Sequence, residues 1–178
     1  AGLQPPDGVD ELVAGDAVVE ATGDQSRLQP RRLAQAGGAA DVAGIAEAVA
    51  VAIRLAEAGA QVAIGDVNEA GLTETQGLAK GPGKVHARKL NVADEADAQA
   101  AVALAQSRFG GLQGLINCAG IGNAGKVLGK NGPLPLADFA RSIQVNLVGT
   151  FNMIRLAAAA MAQGAAQADG ERGVIVNT

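Results

Sequence analysis

Four short β-branched runs, separated by segments of helical length, restrict this chain to an α/β fold. The runs are Gln61-Val-Ala-Ile-Gly-Asp66, Val85 to Val92, Leu112 to Ala119 and Gly173-Val-Ile-Val-Asn-Thr178, the last of which reads as a buried strand. Strands that alternate with helices make βαβ units, and strands joined that way lie parallel. Between them, Asn68 to Gly77 starts a polar helix, and Gly81-Pro-Gly83 marks a turn. Asp94 caps a second helix with Asp97 three residues on, and Ala96, Ala100, Leu104 and Phe109 fall near helical spacing. Gly110-Gly111 stops it, and Gly120 to Gly132 reads as a glycine-rich loop. The longest predicted helix runs from about Leu136 to Gln163, with Phe139, Ile143, Leu147, Phe151, Ile154 and Met161 supplying an apolar face.

Composition narrows the packing. Apolar residues make up 48% and aromatics only 2%, with neither Trp nor Tyr, so Ala, Val, Leu and Ile must fill the core. Such a core suits helices packed closely on a parallel sheet, and 178 residues suffice for one domain. The net charge of −4 offers no basic patch, which argues against a nucleic-acid partner. Cys118 and His86 are each alone of their kind, which speaks against a disulfide, a metal centre and a Ser-His-Asp triad. No apolar run approaches the ~20 residues of a membrane span. The N-terminus shows no basic region followed by an apolar one. The expectation is a cytoplasmic protein with no membrane segment and no metal.

Four groups of residues carry chemistry. Asp66 ends the strand after the first helix, where an acid accepts hydrogen bonds from an adenosine ribose and repels a 2′-phosphate. Neither Val67 nor Asn68 offers the cation that a 2′-phosphate needs; the alternative role for Asp66 is a helix N-cap. Asn91 and Val92 end the next strand at the carboxyl edge, where ligands of open α/β sheets bind, although an Asn there also serves simply to turn the chain. Asn117, Cys118, Ala119 and Gly120 form the tip of the following strand; small residues admit close approach of a dinucleotide, and Gly120 is free to adopt a positive φ. Cys118 reads as a small buried thiol whose backbone lines the site. Asn146 sits inside the long helix beside its apolar face, where an Asn is unfavourable unless it distorts the helix, holds a water or faces solvent.

These pieces, in this order and spacing, resemble the short-chain dehydrogenase/reductase family. The likeness is closest to its type II 3-hydroxyacyl-CoA dehydrogenase branch, on Leu115-Ile-Asn-Cys-Ala-Gly-Ile121, Gly149-Thr-Phe-Asn-Met-Ile-Arg-Leu156 and Gly170-Glu-Arg-Gly-Val-Ile-Val-Asn-Thr178. The resemblance implies a doubly wound, Rossmann-type parallel sheet, incomplete at the C-terminal end, and NAD as cofactor. It implies a small-molecule substrate, an acyl-CoA or an alcohol/ketone pair, and a homo-oligomer in full-length members, which commonly associate through the long helix. Asp66 would bind the adenosine ribose, and Asn91 and Val92 would flank the adenine. Asn117 to Gly120 would border the nicotinamide-side ribose. Asn146 would be the asparagine of the catalytic Asn-Ser-Tyr-Lys tetrad, holding a water in the proton relay. The tetrad's Ser and Tyr-x-x-x-Lys would follow the last strand, so Asn146 is the tetrad member expected here. An acyl-carrier-protein ketoreductase using NADP is disfavoured by Asp66.

The family pattern departs at the N-terminus. Pro5-Pro6, Gly8, Gly15, Gly23 and Pro30 break residues 1–44 into an atypical segment, leaving 45–178 as a partial dinucleotide-binding domain. The Thr-Gly-x-x-x-Gly-x-Gly loop, whose glycines let a pyrophosphate approach a helix N-terminus, would fall where Val42, Ala46 and Ala48 stand. Displaced remnants are Thr22-Gly-Asp-Gln-Ser-Arg-Leu28, which follows the strand-like Ala17-Val-Val19, and Gly37-Gly-Ala-Ala with Gly44-Ile45. A non-catalytic fragment that binds nucleotide or self-associates is the alternative to an oxidoreductase.

Overall fold

The computed structural model describes residues 17–22, 45–122, 125–168 and 170–178. Its strands are β1 (Ala17–Thr22), β2 (Gln61–Asp66), β3 (Lys84–Lys89), β4 (Gly114–Ala119), β5 (Leu128–Gly129), β6 (Gly132–Pro133) and β7 (Val174–Asn177). The helices are α1 (Ile45–Glu57), α2 (Glu69–Leu78), α3 (Glu95–Phe109), α4 (Leu136–Ile143) and α5 (Thr150–Ala162); a π-helical turn, Gln144–Gly149, joins the last two. Five strands form one parallel sheet in the order β3-β2-β1-β4-β7, and β5 and β6 make a small antiparallel hairpin. This is the doubly wound sheet that the sequence implies.

The centre of the sheet is β1. It pairs with β2 through Ala17↔Val62 to Glu20↔Gly65 and with β4 through Ala17↔Gly114 to Thr22↔Ala119. The sheet therefore draws on both sides of the division placed near residue 45. Most of the two displaced glycine remnants, 23–28 and 37–44, lies outside the described residues.

Alternation along the strands builds two cores. Val62, Ile64 and Cys118 join Ala48, Ala52, Ala56, Ala60 and Leu72 on the face covered by α1 and α2. Ala63, Leu115 and Ala119 join Leu90, Val92, the inner face of α3, and Met153, Ala157, Ala160 and Met161 of α5. Alanines four residues apart on α1 leave little side chain between helix and sheet. The turn between α2 and β3 packs against the end of α1 so tightly that a Cβ on Gly83 would stand 2.1 Å from the Ala60 carbonyl oxygen.

The helix signals hold in the structure. Asn68 caps α2 by accepting from the N–H groups of Ala70 and Gly71. Asp94 caps α3 by accepting from the Asp97 N–H at 2.9 Å, and Gly110 closes that helix in the left-handed region at φ 83°. The buried stripe of α3 differs from the expected one. Ala98, Ala101, Val102 and Ala105 face the core, while Ala96 is exposed and Ala100, Leu104 and Phe109 are half-buried. Alanines stand on every side of this helix, so apolar periodicity does not select a face.

Three other expectations are corrected. The third strand stops at Lys89, because the Leu90 N–H donating to the Asp66 carbonyl (2.9 Å) makes the last rung beyond the strand. Strand β7 is the sheet edge, with Val174 and Val176 56% and 43% exposed, so it is not a buried strand. Of the apolar face expected on the long helix, Phe139, Ile143, Leu147 and Phe151 are exposed, Ile154 is half-buried and Met161 is buried. With its π turn included, this helix spans 27 residues and is long and apolar enough to cross a membrane. Its buried face packs on α3 and β4.

His86, on β3, packs against Phe109 with ring centroids 5.5 Å apart and the ring planes tilted by 49°. Burial, and then the positive charges of Arg108 and Lys84, hold its pKa below the ordinary 6.5. The unfolded chain therefore binds a proton at a pH where the folded one does not, and stability falls as pH drops through 6.5 toward the folded value. H86Q should remove part of the stability loss between pH 7.5 and 5.5, measured as urea midpoints. Equal losses in the two proteins would refute this.

Candidate active site

Side chains that could meet a ligand gather at the carboxyl ends of the parallel strands, where open α/β sheets bind ligands. Asp66 ends β2 and is 2% exposed. Its Oδ1 accepts from the Asn68 N–H at 2.8 Å. Asn68, not Asp66, caps α2, so the alternative role for Asp66 falls away.

Asn91 and Val92 lie just past β3, in the loop that leads to α3. Asn91 is exposed, and its Oδ1 accepts from the Ala93 N–H at 3.1 Å while its carbonyl accepts from the Asp94 N–H at 2.9 Å. These bonds make it a turn residue, with its N–H donating to Asp97 Oδ2 at 3.1 Å. Val92 is 1% exposed and turns its side chain into the core. A Cβ on Gly149 would stand 2.4 Å from Val92 Cγ2, so the π turn and this loop meet as closely as glycine allows.

Strand β4 delivers Asn117, Cys118 and Ala119, with Gly120 just beyond. Asn117 is 2% exposed; its Nδ2 donates to Asn177 Oδ1 at 2.6 Å, and its carbonyl accepts from the Thr178 N–H at 3.0 Å. Among the described residues no donor reaches its buried Oδ1. A buried amide oxygen left unmatched costs about 1–3 kcal/mol. Cys118 is buried and, as the sequence's single cysteine, forms no internal disulfide. Gly120 does not use its freedom: its φ is not positive, and a Cβ there would lie 3.8 Å from Asn146 Oδ1, an ordinary contact. Neither backbone conformation nor crowding among the described residues therefore requires glycine at 120.

Asn146 lies in the π turn, the helix distortion its sequence position suggested. Its amide clips the backbone of Ile121 at both ends: the Ile121 N–H donates to Oδ1 and Nδ2 donates to the Ile121 carbonyl, each at 2.9 Å. Its own carbonyl accepts from Thr150 Oγ1 at 2.8 Å. The residue predicted to serve the proton relay is thus anchored to the segment just beyond β4.

Sequence reasoning missed two partners. Asn152, 6% exposed in α5, donates from Nδ2 to the carbonyls of Val92 (2.9 Å) and Asp94 (3.3 Å). The signal was available, since the argument that singled out Asn146 inside a helix applies equally to Asn152. Asn177, at the tip of β7, pairs with Asn117 across 60 positions, which no local pattern reveals.

Comparison with known proteins places this arrangement. A family model described as enoyl-(acyl carrier protein) reductase matches residues 38–178. The 3-hydroxyacyl-CoA dehydrogenase type-2 of Bos taurus is 43% identical over 133 residues, covering 73% of this chain and 50% of that protein. The protein of the same name from Drosophila melanogaster is 43% identical over 132 residues, covering 72% and 51%. A crystal structure of a short-chain type dehydrogenase/reductase from Mycobacterium marinum superposes with a TM-score of 0.67 at 25% identity, over 92% of this chain and 55% of that one. The chain spans about half the length of the curated relatives it matches.

Replacing Asn146 by Ala removes both bonds to Ile121 and should destabilise the fold by about 1–2 kcal/mol. Ile121 amide exchange should accelerate in N146A. Unchanged urea midpoint and unchanged exchange at Ile121 would refute the anchoring role.

Proposed function

The chain belongs to the short-chain dehydrogenase/reductase family, and from that premise we propose that it carries the NAD-binding half of an oxidoreductase that interconverts a secondary alcohol and a ketone. The proposed substrate is of the 3-hydroxyacyl-CoA kind, a reading supported by the names and identities of the curated relatives. Asp66 carries the cofactor choice. It is a buried carboxylate at the tip of β2, and its register partner Lys89 directs its ammonium to Glu69 at 3.0 Å. A carboxylate there accepts from ribose hydroxyls and repels a 2′-phosphate. In this reading the backbone at Asn117 to Gly120 borders the nicotinamide-side ribose, and Asn91 with the backbone of Val92 forms the adenine-side wall.

When bound, NAD supplies the hydride-accepting ring; the protein supplies orientation and proton handling. Of the proton-handling groups that the family resemblance calls for, these residues provide Asn146. The sequence contains no tyrosine. We therefore assign to these 178 residues cofactor binding without turnover. Calorimetric titration is the test. NAD should bind at least about tenfold more tightly than NADP, because a like-charge contact costs several kcal/mol. D66A should narrow that gap, and 3-hydroxyacyl-CoA with NAD should yield no NADH. Equal or tighter NADP binding would show that the ribose assignment is wrong.

The same chain is proposed to associate with a second copy of itself. Leu136, Phe139, Ile143, Leu147 and Phe151 are exposed along one helix, and patches of this kind mark interaction sites. Light scattering across a concentration series should report a dimer or larger species, and L147E together with F151E should shift it to monomer. A monomeric parent chain at high concentration would rule out the association.

A further inference from the structure

The amide of Asn152 is used completely. Its two Nδ2 hydrogens serve the Val92 and Asp94 carbonyls, and its Oδ1 accepts from Arg155 Nε at 3.1 Å and Nη2 at 2.7 Å. A primary amide has two donor hydrogens and two acceptor lone pairs, so nothing remains for a ligand or a water. Arg155 Nη2 also reaches Glu95 Oε1 at 2.9 Å, in the first turn of α3. The guanidinium fixes the amide's direction: turned over, Asn152 would set its NH2 against a cation and its oxygen against two carbonyls.

That direction matters for the loop after β3. Its turn is made by Asn91, its side-chain anchor is Val92 against Gly149, and its backbone anchors are the two carbonyls that Asn152 holds. Gly149 belongs to the π turn that also carries Asn146. The loop is therefore keyed at several points to the helix that bears the predicted proton-relay residue.

We propose that Asn152 is a positioning residue: oriented by Arg155, it sets Asn91 to Asp94 as the adenine-side wall of the dinucleotide site. The proposal rests on the dinucleotide reading given above. Asn152 touches no ligand in this role and acts only through the loop carbonyls.

The test uses the full 178-residue chain and its N152L and R155M variants, titrated with AMP by calorimetry, with amide exchange read in parallel at Ile121. N152L should weaken AMP binding about tenfold or more, the scale on which misplaced contacts act. Exchange at Ile121, which Asn146 protects, should stay within about twofold of the parent. R155M should weaken AMP binding by a smaller factor and leave Ile121 alike unaffected. Should N152L not fold, R155M decides on the same two readouts. AMP affinity unchanged in both variants would overturn the positioning role. Weaker AMP binding accompanied by equally faster exchange at Ile121 would reduce Asn152 to a general packing residue and overturn it too. No saturable AMP binding to the parent chain would sink the dinucleotide reading itself, and this proposal with it.

Discussion

Close approach of the long helix to the loop after β3 is the contact on which the site depends. Val92 presses on Gly149 at a distance that admits no Cβ, and Asn152 takes the Val92 carbonyl a turn further along the same helix. Any larger residue at 149 would push the helix outward, and Asn146, three residues earlier, would leave Ile121 with it. The core beneath has few large side chains to absorb such a shift. Its buried residues are chiefly Ala, with Leu90, Leu115, Met153, Val62 and Val92 among the largest fully buried ones. A core of this kind holds its elements through short separations, and interiors packed to crystal-like density transmit small displacements.

The polar residues at the carboxyl edge divide by what occupies them. Asn91, Asn146 and Asn152 are engaged with backbone groups of neighbouring segments. Asn117 keeps a buried oxygen without a donor among the described residues. The first three give the edge its shape. At Asn117 a buried acceptor is left unmatched among the described residues, at a cost of about 1–3 kcal/mol.

Local patterns were legible where local physics decides. The caps at Asn68 and Asp94, the stop at Gly110 and the strands around Ile64 and Ile116 could be read because each depends on residues within a turn or two. The distortion at Asn146 was foreseeable from its poor fit to a helix interior, but the partner it found, Ile121, was not. The face of α3 could not be read, since alanine on all sides erases the periodic signal. The central position of Ala17–Thr22 was equally hidden, because a short Val-containing run in a broken segment has no local mark of centrality. Long-range pairs such as Asn117 with Asn177 belong to the sheet order, which emerges only once all the strands are placed.

The π turn has a second consequence, for the outside of the molecule. In a regular α-helix, side chains four apart overshoot a full turn of 3.6 residues by ~40°, so a strict fourfold series winds around the axis. Phe139, Ile143, Leu147 and Phe151 form such a series, yet all four remain solvent-facing. The wider turn between Gln144 and Gly149 takes back part of that angle, resetting the helical phase midway along the row. One extra-wide turn thus carries Asn146 to the Ile121 backbone and keeps the apolar row beside it in line. Restoring a regular helix there would rotate the two ends of that row out of alignment while it withdrew Asn146 from Ile121.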